Sequence, residues 1–201
     1  LSALTAIVQS LGLAYASGIS LYATVVFAGL AQRLGWIALP GPLHALGDPL
    51  VIGVAGLLTV VEVLASLVPG IATAWEAVHT AIRPIAAGGL AALATWGESP
   101  RVVVVAGLLG GALGLATHAT KLGLRAAVDL SPEPISNAGA TTAELSVVAA
   151  LGWAVWHHPY VALAGALALL LATFLLVRTL WRLVRRAIGG AIGLGRGALP
   201  P

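Results

Sequence analysis

Long apolar runs, each closed by proline, glycine or charge, set the pattern of this chain. About 20 apolar residues at a rise of 1.5 Å cross a hydrocarbon core of about 30 Å. Six segments reach or approach that length, roughly 5–35, 49–68, 84–97, 102–127, 137–157 and 159–181. The punctuation between them is Pro40-Gly41-Pro42, Gly47-Asp48-Pro49, Pro69-Gly70, Gly97-Glu98-Ser99-Pro100 and Ser131-Pro132-Glu133-Pro134, which reads as turns and helix starts. The expected fold is therefore all-α, a polytopic transmembrane bundle of about six spans. The third segment, 84–97, is short for a crossing, so a tilted or re-entrant half-span is expected there, with 72–83 as a separate helix lying in the interface. The first segment is too long. Its excess around Ser17-Gly18-Ile19-Ser20 predicts a break or kink near Gly18, or an additional N-terminal half-helix packed on the bundle.

Composition agrees with that setting. Of 201 residues, 59% are apolar and 8% charged, too little polar surface to coat a soluble globule. The net charge of +3 does not point to nucleic acid, because five of the ten basic residues (Arg178, Arg182, Arg185, Arg186, Arg196) lie beyond the last acidic one. They read as a basic flank attracted to anionic lipid. Residues 1–186 form a single transmembrane domain on this reading, and 187–201 a basic cytoplasmic tail. Alternating the chain through six spans puts Arg83, Lys121, Arg125 and those five on the cytoplasmic side and only Arg33 and Arg101 outside, so both termini are expected inside a bacterial inner membrane. Trp36, Trp96, Trp156 and Tyr160 then make an outer aromatic belt, with Trp75 and Trp181 near the inner one. With no methionine at position 1, the natural N-terminus is expected upstream. The lack of cysteine excludes disulfides, thiolate metal sites and thiol nucleophiles.

Two carboxylates inside apolar runs, Glu62 and Glu144, are the first candidates for chemistry. An acidic side chain in hydrocarbon costs roughly 2.5–3.5 kcal/mol, and such residues normally face a bundle interior, a partner or a wet path. Gly107, Gly111, Gly114, His118, Lys121 and Arg125 recur at intervals of four, three, four, three and four, so all lie on one helical face. Its glycines suit close helix packing, and its cationic end is placed to meet the two glutamates. Tyr22, Thr24, Thr120 and Asn137 supply neutral ligands to the same path, and Ser131, Pro132, Glu133 and Pro134 a gating loop on the inner side. Glu76 and His79, at i and i+3, have the spacing of a carboxylate and imidazole metal pair, although a lone pair of this kind is ordinarily solvated polarity. No cofactor is expected.

The stretch Gly18-Ile-Ser-Leu-Tyr22-Ala23-Thr24 lies over Gly114-Leu-Ala-Thr-His118-Ala119-Thr120 with Gly, Ala and Thr matching. Each copy precedes a Pro-x-Pro loop and then a span with one glutamate. This suggests inverted three-span repeats, 1–97 and 102–186, against the alternative that common membrane residues coincide.

His118-Ala-Thr-Lys121 through Ser131-Pro-Glu-Pro-Ile-Ser-Asn137, with Ala16-Ser-Gly-Ile-Ser-Leu-Tyr-Ala-Thr24, resembles the family of bacterial membrane proteins catalogued as domain of unknown function 4126. The likeness runs over nearly the whole chain and is most specific at Ser-Pro-Glu-Pro. It departs at Ser20 and Asp129, where the family is associated with asparagines. The resemblance implies a membrane fold and no substrate. The functional expectation is a transporter or channel-like protein for an ion or small solute, in which Glu62 and Glu144 bind a cation or proton, His118 titrates, and Lys121 and Arg125 set the field. The alternatives are a scaffold that forms homo-oligomers through its glycine faces and, further off, a metal-dependent intramembrane enzyme.

Overall fold

Five of the seven α-helices begin on a proline, which fits the first helical turn because the N–H it lacks has no intrahelical partner there. The computed structural model describes residues 3–128 and 134–196. Its helices are α1 (Ala3–Ile19), α2 (Leu21–Arg33), α3 (Pro49–Ser66), α4 (Pro69–Ala94), α5 (Pro100–Val128), α6 (Pro134–His157) and α7 (Pro159–Arg196), with a short 3-10 helix at Gly41–Gly47. No strand occurs among the described residues. Asp48 caps α3 by accepting a hydrogen bond from Leu50 N at 2.8 Å, the usual service of an aspartate at this position. Four helices are long and apolar enough to cross a membrane, at Pro49–Ser66, Gly70–Ala94, Pro100–Ala126 and Ile135–His157, and Ala3–Ile19 and Pro159–Ala168 are shorter apolar segments.

The expected break in the first apolar run falls at Ser20, between α1 and α2, where the backbone is extended with φ −146° and ψ 107°. It is more than a kink. A Cβ on Gly12 of α1 would meet Val155 of α6, and one on Gly152 of α6, one turn away, would meet Phe27 of α2. Both arms therefore lean on the same level of α6, and α1 and α2 form a V with Ser20 at its apex. Both open ends reach the α6–α7 turn: the Thr5 hydroxyl lies 3.4 Å from that of Tyr160, and Trp156 Nε1 donates to Ala38 O at 3.4 Å. We call this the first end of the bundle. Trp36, Trp96 and Tyr160 are exposed there.

From the first end, α3 to α7 run alternately down and up. Ser66 closes α3 at the second end, where its hydroxyl stands 2.9 Å from that of Thr141 near the start of α6, and α7 descends past Tyr15, Ala16 and Ile19, against which Ala166 packs. This course bears on the expectation that both termini share one side. The first apolar run enters and leaves by one end instead of crossing, so the start of α1 lies at the first end and α7 runs toward the second.

A correction concerns 72–83 and 84–97. They are one helix, α4, with Pro84 inside it. Glu76 and Arg83 lower the local hydropathy and suggested an interfacial segment, yet both side chains turn inward and neutralise each other. Pro84 removes one helical hydrogen bond without ending the helix.

The glycine stripe of α5 serves packing within the chain. A Cβ on Gly110 or Gly114 would fall 2.5 Å from Ala91 Cβ or 2.4 Å from Ala87 Cβ of α4. Gly18 of α1 sits directly on Gly114, where an added Cβ would be 2.6 Å from the carbonyl oxygen. Small residues let these backbones touch, and α1 becomes the buried central element, with α4, α5, α6 and α7 around it. The proposed repeat brings its two glycines into contact, but the surroundings differ. Helix α6 packs on α1 and α2, whereas the backbone of its counterpart α3 stays apart from that of α5, which it meets only through side chains, and α5 runs unbroken through the stretch that aligns with Ser20.

Two outcomes follow for this fold. The cysteine-free chain allows single-cysteine labelling: L4C and W36C will react with an impermeant maleimide from one side of sealed vesicles and L67C from the other, and labelling of L4C together with L67C would refute the V. Gly18→Ala will lower thermal stability by about 1–3 kcal/mol through overpacking, while Gly56→Ala, whose added Cβ meets nothing within 4 Å, will leave it unchanged or raise it slightly.

Candidate functional site

Directly below the apex of the V lie three carboxylates and three cations, brought by four helices. Arg83 of α4, fully buried, pairs through Nη2 with Glu62 of α3 and through Nη1 with Glu76 Oε2 at 2.8 Å. Lys121 of α5 reaches Glu76 Oε1 at 2.8 Å, Glu62 Oε1 at 3.3 Å and Glu144 Oε2 at 3.3 Å. Arg125, one turn further along α5, holds Glu144 by a fork, Nε to Oε1 at 2.8 Å and Nη2 to Oε2 at 3.1 Å, and also donates to Thr141 Oγ1 at 2.8 Å. Three negative and three positive charges thus cancel. An isolated ion at this depth costs several kcal/mol, and mutual pairing with further hydrogen bonds is what makes such a group tolerable.

The break at Ser20 contributes directly. The Ser20 hydroxyl donates to Glu62 Oε2 at 2.8 Å, and the neighbouring Ile19 carbonyl accepts from Lys121 Nζ at 3.0 Å. Around the apex the backbone bonds run from Ser20 N to Ala16 O and from Thr24 N to Ser20 O. The end of α1 thus presents its carbonyl dipole to a cation.

Histidine roles follow from their partners. Arg83 Nη1 lies 2.8 Å from His118 Nδ1, and a guanidinium only donates, so Nδ1 is the acceptor. His118 is then the neutral tautomer with its proton on Nε2, which donates to Thr80 Oγ1 at 3.0 Å. His79 points elsewhere. Its Nδ1 donates to Trp75 O at 2.7 Å, and Tyr22 OH lies 3.0 Å from its Nε2, while its ring stacks on Trp75 with centroids 4.4 Å apart.

Two cavities flank the cluster. One of about 410 Å³ lies between α3, α4 and α5, lined by Glu62, Ser66, Trp75, Glu76, Thr80 and Arg125 among others. The other, about 290 Å³, lies between α1, α5 and α6 and is lined by Thr120, Lys121, Arg125 and Glu144 with apolar neighbours. Arg125 borders both. Toward the first end the way is filled by Leu13, Leu21, Ala28, Leu39, Leu43, Leu90 and Ala94.

Of the residues expected at the site, Glu62, Glu144, Lys121 and Arg125 meet, but Glu62 and Glu144 border different cavities. His118 bonds to Arg83 instead of a carboxylate. Tyr22 goes to His79, and the Thr24 hydroxyl is used up on Ser20 O at 2.7 Å. Asn137 is buried near the start of α6, where its carbonyl accepts from Thr141 Oγ1 at 3.0 Å. Ser131, Pro132 and Glu133, proposed as a gate, lie outside the described residues; Pro134 opens α6. Glu76 and His79 turn to different partners, and no group of three or more metal-capable acidic, histidine or cysteine side chains occurs among the described residues. Sequence reasoning missed Arg83, Ser20 and the pairing role of Glu76. A signal existed for two of them, since Glu76, Thr80 and Arg83 recur at four and three residues and so share one face.

The arrangement defines a helical membrane protein with a broken N-terminal helix and a buried, neutral ion cluster. A family model described as "Domain of unknown function (DUF4126)" matches residues 7–179, and the chain belongs to that family. No curated protein and no solved structure matches it.

Breaking the cluster has a defined cost. Arg83→Met leaves Glu62 and Glu76 short of a partner and will destabilise the purified protein by about 3–5 kcal/mol. Adding Glu62→Gln will recover part of that loss in a double-mutant cycle, and strictly additive effects would show that the pair is not coupled.

Proposed function

We propose that the protein carries an ion or small polar solute across the membrane, with the charge cluster as its binding region. One observation carries this reading: the break between α1 and α2 places the Ile19 carbonyl and the Ser20 hydroxyl on an ion cluster bordered by a cavity of about 410 Å³. Irregular backbone inside a membrane is tolerated where it is buried in protein or lines a wet path, and discontinuous helices meeting near the midplane are a recurring form of transporter site. The apolar cluster on the other side of the apex closes the route toward the first end. This is the disposition of a carrier open to one side.

The charge balance narrows the earlier reading. Each of Glu62, Glu76 and Glu144 already has a protein cation, so an added metal cation would have to displace one. A proton, or a solute bearing both donors and acceptors, fits the lining better. The second end is cytoplasmic on this proposal. Of the eight basic residues assigned to that side, Arg83, Lys121 and Arg125 belong to the buried cluster, which leaves the five of α7 to set orientation.

A second reading rests on the same balance, namely that fully paired charges serve only to fix helix register. Proton movement into proteoliposomes loaded with a pH-sensitive dye, driven by a potassium diffusion potential, separates the two. Carriage predicts a signal above empty vesicles that Glu62→Gln and Glu144→Gln each reduce at least about tenfold, with the folded state retained. No signal from the wild-type protein, together with loss of stability in both variants, supports the structural role instead.

A further inference from the structure

We infer that the segment 36–47, between α2 and α3, is the gate at the first end, a flap latched by Gln32. It includes the 3-10 helix Gly41–Gly47 and lays two leucines, Leu39 and Leu43, each 1% exposed, on Leu13, Leu21, Ala28, Leu90 and Ala94. Leu21 adjoins the apex of the V, and Ala28 stands about two turns further toward the first end. The flap leucines are thus the outermost layer of the apolar column between the ion cluster and that end. A carrier open at the second end has to close there and open at the first in turn. The other members of the column belong to the arms of the V and to α4, so the flap is the layer that can lift without unpacking a long helix.

Its attachment is narrow. Gln32 Oε1 accepts from Leu39 N at 2.6 Å, which leaves Nε2 of the same amide to donate to His44 Nδ1 at 3.0 Å. Among the described residues, the further hydrogen bond from 38–47 to another helix is that of Trp156 Nε1 with Ala38 O, at 3.4 Å. The backbone bonds of this stretch are local, Leu43 N to Pro40 O and Asp48 N to Ala45 O. One side chain therefore ties down both halves of the flap. At its start Gly35 has a φ of 73°, and an added Cβ there would meet nothing within 4 Å, so the chain can pivot at a residue free of side-chain constraint. Pro40 and Pro42 stiffen the middle, which suits movement as one body.

The place of this flap in a cycle rests on the transport reading, whereas cysteine labelling reads the flap directly. Ala94, 5% exposed in the cluster that the flap covers, becomes a reporter as A94C in the cysteine-free chain, labelled by a water-soluble maleimide in an uncharged detergent. Two ordinary hydrogen bonds are each worth roughly fivefold in an opening equilibrium, so adding Gln32→Ala will speed labelling at least about tenfold over A94C alone, with helical content unchanged. A Cβ on Gly47 would lie 3.7 Å from Gln32 Cβ, the spacing of a disulfide. The variant A94C/Q32C/G47C will therefore label fast when reduced and as slowly as A94C when oxidised. Equal rates in these folded proteins overturn the inference. Gln32→Glu, which keeps the acceptor for Leu39 N and loses the donor to His44, decides if alanine yields no folded protein; a rate no faster than that of A94C, or no folded variant at all, overturns it likewise. In the vesicle assay, oxidation of Q32C/G47C will stop proton entry and reduction will restore it. Entry that continues through the oxidised protein removes the gate and keeps carriage, whereas a wild-type protein that carries nothing removes carriage and leaves the labelling result standing.

Discussion

Charge cancellation inside an apolar bundle is the constraint on which this structure depends. Glu62, Glu76 and Glu144 come from three helices, and the cations that answer them, Arg83, Lys121 and Arg125, come from two. None can be exposed to lipid and none can be left alone, so α3, α4, α5 and α6 are held in one register by electrostatics as much as by packing. The apolar term cannot supply that register, because in lipid a leucine gains little by exchanging one hydrocarbon neighbour for another. What remains is close approach of small residues and the pairing of polar ones. The protein uses both close together, with Gly18 on Gly114 just above the ions and Lys121 among them.

The central position of α1 follows from this combination. A helix whose far end meets a lysine and whose sides are glycine and alanine can be surrounded by others without a wide apolar girdle of its own. Ser20 contributes no side-chain cap to α2; its hydroxyl serves Glu62. Local helix chemistry is given up there for a long-range contact. A serine that could close its own helix but instead bonds across the bundle marks the place where tertiary demand outweighs local preference.

How much of this was legible depends on which physical signal each feature leaves in the chain. The helical class, the prolines at helix starts and the break in the first run are written in hydropathy and in proline and glycine, and these are local. The stripe Gly107 to Arg125 was legible because it is periodic, and it located two of the six members of the ion cluster, Lys121 and Arg125. Arg83 and Glu76 were not, because charge counted along the sequence looks like an interfacial segment until its partners are known. The turning back of α2 on α1 was also hidden. An overlong apolar run reveals that something bends, whereas the direction of the bend is decided by α6, whose Gly152 and Val155 accept the two arms.

The apex of the V has an implication for biosynthesis. Residues leave the ribosome from the N-terminus, so α1 and α2 emerge before any of the helices that satisfy them. In hydrocarbon at that moment the Ile19 carbonyl would lack Lys121 and the Ser20 hydroxyl would lack Glu62, a situation in which unpaired polar groups are costly. The hairpin therefore has to wait, shallow or shielded, until α5 and α6 arrive. The V thus takes its final place on helices that are translated after it.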